Sequence, residues 1–562
     1  MTESREMGRR TIWLMMLPAA MCLAYFYALD RILFSSISFS PIFRFLLASD
    51  VSSARIAVVI CLLATLWNRP APILRLVAFL GDHYRWVALI CVPLLAVGAI
   101  AAYRDCPLSM DEYAAVFQGK IFASGHLFAQ LPPNLIDWMI VRGFNGEFLV
   151  ASQETGRVIE KFWPGFALLL APFEFFRVPW LCNALLAGFS LILVYFITQQ
   201  ITKDKRAAGW AILFAIASGG FIADAISYYS MQAHLTANLL FAALLLRPNR
   251  YRALGAGLVG SMALILHNPV PHTLFAIPWV SSMMVERKQW RYLPPLLLGY
   301  LPGIGLGLGW IALQWDIAVA AKSFSGFSGI ASGVFAWPNK SILNMRSASF
   351  VKMWVWAVPC LYVFAVIGFV RRREDTRVRL LASSAIVTFV GYFFVTFDQG
   401  HGWGSRYFHS AWGVIPILAA CAMSGAPEAN RRLVSFAGAV AILNLLIVVP
   451  VQMRQIEGFI SQHLAQLGPP RRPGNNVYFV HPRGGFYVAD MVQNDPFLRD
   501  PDLFLVSRGT DLDSKMIFEN WPNAVKIEGD QTYDQWYLGP KEQRSAIPGG
   551  SARRFVLRGI PE

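Results

Sequence analysis

Charged residues are scarce in this sequence: they make up 15% of its 562 residues, against 56% for hydrophobic residues. Soluble globular domains carry about 25% charged residues, so the composition excludes an ordinary soluble protein. Acidic residues are the scarcer sign, at 34 against 49 Lys and Arg. The basic residues form clusters between apolar segments, a pattern that is typical of the cytoplasmic loops of membrane proteins. We therefore do not expect a nucleic acid as a partner.

Two other features are missing. There are only seven cysteines and no C-x-x-C motif, so neither a disulfide scaffold nor a zinc site is predicted, and we assign no metal ligands. We also find no internal repeat, a feature of many secondary transporters. The sequence therefore favours neither a secreted disulfide-rich protein nor a transporter built from inverted repeats.

Long apolar segments recur between residues 11 and 450. We predict a mainly α-helical, polytopic membrane protein with about 13 transmembrane helices. The second span is the weakest, because Asp50 and Arg55 interrupt it. The predicted spans are 11–29, 54–68, 86–103, 181–199, 207–223, 233–247, 253–268, 271–285, 293–315, 351–370, 379–397, 408–424 and 432–450.

The Lys and Arg clusters predict an orientation. They alternate with base-poor connections if the N-terminus is cytoplasmic and the apolar stretch 162–176 does not cross the membrane. This topology places 104–180, 316–350 and the tail from 451 outside. The expected location is the bacterial inner membrane, with the C-terminus in the periplasm.

We divide the chain into four parts: N-terminal spans with two extra helices (1–103), a large outer loop (104–180), the remaining transmembrane core (181–450) and a soluble C-terminal domain (451–562). The segment 316–350 is rich in Gly and Ser and is expected to be a mobile loop. The last part is expected to be a small α/β domain, because short strand patterns alternate with turn residues. These patterns are NVYFVHP, GFYVAD, DLFLVS, AVKI and RRFVLR.

An acidic pair opens a short predicted helix in the outer loop. Ser109 and Glu112 have capping-box spacing, in which both side chains satisfy backbone donors of the first turn. Asp111 would be favoured there by the helix dipole. The box requires an acid or amide only at Glu112, so Asp111 is the residue we expect to be available for chemistry.

Other polar residues gather at the predicted outer ends of the spans, whereas the inner ends show no comparable His and carboxylate content. A lone His there is more often an interface residue, a lone Arg usually reaches toward headgroups, and a single Asp can be an ordinary helix-end charge. Taken together, the set suits a reaction on an anionic, lipid-linked substrate. It comprises Asp105, Lys161, Asp224, His234, His267, Asn268, His272, Asp398, His401, Arg406 and His409.

Three motifs in this order resemble the GT-C glycosyltransferases, specifically the ArnT-like and protein O-mannosyltransferase-like group (glycosyltransferase family 39). The first is the acidic pair with its tyrosine-containing helix, DEYAAVFQGKIFASGHL. The second is Lys161 ahead of Pro164, in KFWPGFALLLAP. The third is the turn Gly404-Ser405-Arg406-Tyr407, which leads into an apolar span. The resemblance covers about 104–425.

The resemblance implies an inverting hexosyl- or pentosyltransferase that moves a sugar from a polyprenyl-phosphate donor to a lipid, glycan or protein acceptor at the outer membrane face. By the same resemblance Asp111 is the general base, Glu112 and Asp224 shape the site, and Lys161, Arg406 and Tyr407 contact the donor phosphate. No cofactor is required, and a divalent cation is left open. Departures from the family pattern, Phe-Trp-Pro after Lys161 and HGWG before Arg406, leave the sugar and acceptor open.

Two readings from other classes compete with this one. A transporter or flippase for a lipid-linked saccharide would also use charged residues, but near the middle of its spans and with broken helices. A receptor-like membrane protein that senses through its tail would leave Asp111 without a role.

Overall fold

The computed structural model describes residues 2–33, 40–319, 335–397, 399–425, 431–468 and 474–540. It divides the chain into two compact units. We call the first the helical unit; it comprises Met1–Cys106, Val178–Gly307 and Gly326–Glu457. We call the second the mixed unit; it comprises Pro107–Arg177, Leu308–Ser325 and Gly458–Glu562.

The helical unit confirms the prediction of a mainly α-helical membrane protein. In the described part of the chain, six helices are long and apolar enough to cross a bilayer, or seven if one bent pair counts as a single span. Two helices at its boundaries, Leu293–Val319 and Val449–Leu464, continue into the sequence of the mixed unit. The helices are Thr2–Leu33, Pro41–Leu66, Pro70–Asp82, Tyr84–Ala101, Leu181–Thr202, Lys205–Ile216, Gly219–Ile226, Met231–Leu245, Arg250–Ile265, Val270–Val285, Leu293–Val319, Lys340–Val355, Leu361–Arg372, Thr376–Gly391, Arg406–Trp412, Val414–Met423, Arg431–Leu443 and Val449–Leu464.

Several predicted spans are divided in the structure, and two of the breaks matter for the site. The span 207–223 bends by 64° between Lys205–Ile216 and Gly219–Ile226. The span 351–370 is interrupted between Lys340–Val355 and Leu361–Arg372, where Pro359 cannot donate a backbone hydrogen bond and restricts the residue before it. Both breaks fall inside an apolar run of the sequence, so each run is predicted as one continuous span.

The second predicted span begins earlier than the sequence suggested. Helix Pro41–Leu66 runs through both Asp50 and Arg55. Asp50 is tolerated because Lys352 donates to it with an Nζ–Oδ2 distance of 2.7 Å, and both side chains are 0% exposed. A buried carboxylate is acceptable in a helix when an opposite charge neutralises it.

A three-stranded antiparallel sheet lies in the mixed unit, in the order Ala129–Gln130, Arg157–Glu160, Leu149–Ala151. Helix Met110–Ala123 packs against its central strand and against helix Gly165–Phe175. The latter has 11 residues, which gives about 16 Å, roughly half the hydrocarbon thickness of a bilayer. This length favours the interpretation that residues 162–176 do not cross the membrane by themselves.

A four-stranded sheet forms the predicted C-terminal α/β region. Its order is Asp502–Val506, Asn475–Val480, Tyr533–Gly539, Val525–Gly529; the first two strands are parallel and the other pairs antiparallel. Helix Thr510–Asn520 joins the first strand of this order to the last.

Three of the five strand patterns in the tail are confirmed, and one is wrong. GFYVAD forms a turn and a short 3-10 helix, because Tyr487 takes a left-handed φ of 54° and the Phe486 N–H donates to the Gln466 side chain rather than to a strand. Strand Tyr533–Gly539 was not predicted. RRFVLR, and residues 320–334 of the expected mobile loop, lie outside the described residues.

Candidate functional site

The acidic pair divides into two different environments within one turn of the mixed unit. Glu112 is 0% exposed, and its Oε2 accepts from the backbone N–H of Leu108 at 3.0 Å and of Ser109 at 3.2 Å. Ser109 and Glu112 form the predicted capping box. Asp111, one residue earlier, is only partly buried. The cap therefore occupies Glu112 and places Asp111 in the positive end of the helix dipole, where a carboxylate is favoured.

The helix that bears Asp111 is fixed along its length. The Tyr113 hydroxyl donates to the carbonyl of Asn494 at 2.6 Å and accepts from its N–H at 2.9 Å. Farther along, Gly119 lies so close to helix Gly165–Phe175 that an added Cβ would stand 3.2 Å from the Leu170 Cβ. These contacts hold Asp111 on a rigid element, which a catalytic base requires.

Lys161 follows the central strand of the three-stranded sheet. Its N–H donates to the Phe148 carbonyl at 2.8 Å, and its own carbonyl accepts from the Gln314 side chain at 2.6 Å. Burial lowers the pKa of the Lys161 ammonium from its usual value, and the carboxylate of Glu147 partly counteracts this. A half-buried cation of this kind gains stability when an anion binds near it.

Glu160, directly before Lys161, was not predicted as a site residue. Its side chain is almost completely buried, and burial raises the pKa of its carboxyl well above the usual range. Its N–H donates to Gln118 of the Asp111 helix at 3.1 Å. The strand register that buries Glu160 could not be read from the sequence, because the strand is only four residues long.

In the helical unit, Arg406 begins a short helix after a glycine-rich turn. Gln399 folds this turn: its Nε2 donates to the carbonyls of Gly402 and Gly404, at 3.2 and 3.1 Å, and its Oε1 accepts from the Arg406 N–H at 3.1 Å. Gly402 and Gly404 have φ values of 116° and 63°, which residues with a side chain rarely adopt. The two glycines of HGWG are thus a requirement of the turn, and Gln399 is a positioning residue that was not predicted from the sequence.

Aromatic rings surround the Arg406 guanidinium. It lies 4.4 Å from the centroid of the Tyr229 ring and 5.6 Å from that of Tyr407, and Arg406 is 6% exposed. Tyr407 in turn stacks on Tyr392, with centroids 5.2 Å apart. Contact with these rings restricts the Arg406 side chain, and a restricted guanidinium favours bidentate binding of an oxyanion.

Asp224 and His409 are brought together by two helices of the same unit. The Nδ1 of His409 lies 2.9 Å from Oδ2 of Asp224, and its Nε2 lies 3.2 Å from the Gln232 side-chain oxygen. Gln232 then donates to the Ser190 hydroxyl at 3.2 Å. Asp224 therefore orients the His409 ring, a role that the sequence analysis did not assign to His409.

The other four histidines that were predicted as site candidates have different surroundings. His272 is fully buried, with Nδ1 2.7 Å from the Asn238 side-chain oxygen and Nε2 2.7 Å from the Tyr300 hydroxyl. His234 is fully buried near the start of helix Met231–Leu245, His267 is half-buried beyond helix Arg250–Ile265, and His401 is buried in the glycine-rich turn. Within the described ranges, no three His, Cys, Asp or Glu side chains are grouped as metal ligands would be.

Comparisons with known proteins give a likeness in structure only. No family model matches the sequence, and no curated protein matches it. The crystal structure of ArnT from Cupriavidus metallidurans bound to undecaprenyl phosphate is similar over 80% of this chain and 97% of that chain, with 14% identity and a TM-score of 0.47. The apo structure of the same protein covers the same shares, with 13% identity and a TM-score of 0.46.

A third similar structure is the archaeal oligosaccharyltransferase AglB from Archaeoglobus fulgidus, in complex with an inhibitory peptide and a dolichol-phosphate. It covers 69% of this chain and 59% of that chain, with 12% identity and a TM-score of 0.36. ArnT belongs to the group that the sequence motifs resemble. At these TM-scores the likeness carries no functional argument, so function is inferred from the residues of this chain.

Proposed function

We propose that this chain is a membrane glycosyltransferase that moves a sugar from a polyprenyl-phosphate donor to a hydroxyl of a lipid, glycan or protein acceptor, with inversion. The observation that carries the proposal is the division of the acidic pair. Glu112 caps the helix and is fully buried, whereas Asp111 in the same turn is only partly buried and lies on a fixed helix. A capping function alone requires only one of the two acids.

The reaction follows from what each group does. Asp111 accepts the proton of the acceptor hydroxyl as its oxygen attacks the anomeric carbon of the sugar. The bond between that carbon and the phosphate oxygen breaks, and polyprenyl phosphate leaves with the electron pair. Attack from the side opposite the leaving group inverts the configuration.

Cations would stabilise the leaving phosphate, on which negative charge grows in the transition state. Arg406 is suited to this role because its side chain is buried and its guanidinium lies against the rings of Tyr229 and Tyr407. Lys161 is suited because its burial makes a bound anion favourable. Tyr407 keeps the Arg406 side chain in place. Asp224 shapes the site by orienting the His409 ring.

A transfer assay tests the proposal. The purified full-length chain in lipid vesicles should transfer label from polyprenyl-phosphate sugars to an envelope acceptor fraction and release polyprenyl phosphate in equal amount. Movement of the labelled donor across the bilayer without cleavage would instead support a transporter or flippase. That result would contradict the proposal that the chain is a glycosyltransferase.

We further propose that the N-terminus is cytoplasmic and the C-terminus periplasmic, in a bacterial inner membrane. The support is the distribution of Lys and Arg between apolar segments. A reporter fused after Leu467 should be active only if it is of the type that functions in the periplasm. Activity of a cytoplasmic reporter at that position would contradict the orientation and the odd number of spans behind it.

A further inference from the structure

In the helical unit, the breaks within the spans 207–223 and 351–370 touch each other. The N–H of Gly220, in the helix that carries Asp224, donates to the Trp356 carbonyl at 2.8 Å. The N–H of Val358 donates to the Ser218 hydroxyl at 3.3 Å. The backbone groups that each helix leaves unsatisfied at its break are thus partly satisfied by the other break.

Trp356 also supports the glycine-rich turn that ends at Arg406. A Cβ placed on Gly404 would stand 3.5 Å from the Trp356 Cβ and 3.6 Å from the Gly220 Cα. A Cβ on Gly220 would stand 3.4 Å from the Trp356 Cβ. Trp356, 1% exposed, therefore lies against two segments at once, one leading to Asp224 and one to Arg406.

A side chain from the N-terminal part of the chain holds the Trp356 ring. The indole N–H donates to Oδ1 of Asp50 at 2.8 Å, and the other carboxylate oxygen of Asp50 accepts from Lys352 at 2.7 Å. Asp50 lies on helix Pro41–Leu66, and Lys352 on the helix that ends just before Trp356. All three side chains are almost completely buried.

We propose that Asp50, Lys352 and Trp356 form a clamp that positions the segments bearing Asp224 and Arg406. They are positioning residues, because none of them is assigned to substrate. The inference rests on the roles proposed above for Asp224 and Arg406. It gives the N-terminal helix Pro41–Leu66, added ahead of the motif-bearing part of the sequence, a part in supporting the site.

An alternative is that the buried ion pair only joins helices. Buried pairs contribute little net stability, and replacing both charges by apolar groups of similar size is often neutral. That property provides the test, because the charges can be removed together without leaving one of them unpaired.

Two double variants of the full-length chain distinguish a positioning clamp from an ion pair that only joins helices. Asp50→Asn with Lys352→Met keeps an oxygen that can accept from the indole N–H. Asp50→Leu with Lys352→Met has a similar volume but lacks that acceptor. We expect the first variant to keep the donor KM within about twofold of wild type, and the second to raise it about threefold to tenfold, the effect of one lost hydrogen bond.

Backbone amide exchange gives a readout that does not depend on activity. In the variant with Leu at position 50, amide exchange in peptides covering 219–226 and 399–407 should be about threefold to tenfold faster than in wild type. Trp356→Phe should behave like this variant. Trp279→Phe is a matched control, because it also removes a buried indole hydrogen bond, to Ser384 at 3.0 Å, and neither residue belongs to the two segments.

Equal donor KM and equal exchange in the two double variants would overturn the clamp. If the wild-type chain transfers no sugar, the proposed function fails, and amide exchange alone then decides the positioning. Faster exchange in 219–226 and 399–407 with the Leu variant, and not with Trp279→Phe, supports it.

Discussion

Asp111→Asn should lower sugar transfer by about 10²–10⁴-fold while the protein remains folded and inserted. The amide has the size of the carboxylate and can still accept a hydrogen bond, but it cannot take a proton from the acceptor hydroxyl. The cap is formed by Ser109 and Glu112, so helix Met110–Ala123 should be preserved. The measurement is the transfer rate with labelled donor, together with the thermal unfolding midpoint of the purified variant.

Glu112→Gln is the matched control for this substitution. Gln also serves at the third position of a capping box, so a smaller loss of rate is expected. Because Glu112 accepts from two backbone N–H groups, the change should mainly lower stability, by about 1–3 kcal/mol. A larger loss of rate for Glu112→Gln than for Asp111→Asn would reverse the two roles. No change with either variant would remove the proposed catalytic centre.

Arg406→Lys is expected to have the second largest effect. The ammonium keeps the charge but cannot form two parallel hydrogen bonds or stack on the rings of Tyr229 and Tyr407. Loss of a hydrogen bond to a charged group corresponds to about 10- to 150-fold in donor binding. The expected result is a raised donor KM with a smaller change in the acceptor KM.

The control for this experiment is Arg377→Lys. Arg377 is paired with Asp375 in a basic turn that the topology assigns to the cytoplasmic side, and it has no proposed part in the reaction. Its substitution should leave the donor KM unchanged. If Arg406→Lys behaves in the same way, Arg406 serves only to anchor its helix, and the phosphate-binding role is excluded.

Local sequence patterns predicted the features that depend on neighbours in the chain. The capping box needs only the spacing of Ser109 and Glu112, so it could be recognised from the sequence. Hydropathy likewise located the apolar helices, and alternation located strands such as Asn475–Val480 and Asp502–Val506. The alternation pattern gave a wrong prediction at GFYVAD. There the Phe486 N–H donates to the side chain of Gln466, twenty residues earlier in the chain.

The sequence by itself thus determined the helical membrane architecture and the acidic pair as the first candidate site. Only the tertiary structure decided how the Arg406 side chain is packed, which residue His409 faces, and that the spans 207–223 and 351–370 break. The physical reason is distance along the chain. Asp50 looked like an interruption of its span because its partner Lys352 lies 302 residues away, and a buried charge can be judged only when the group that neutralises it is known.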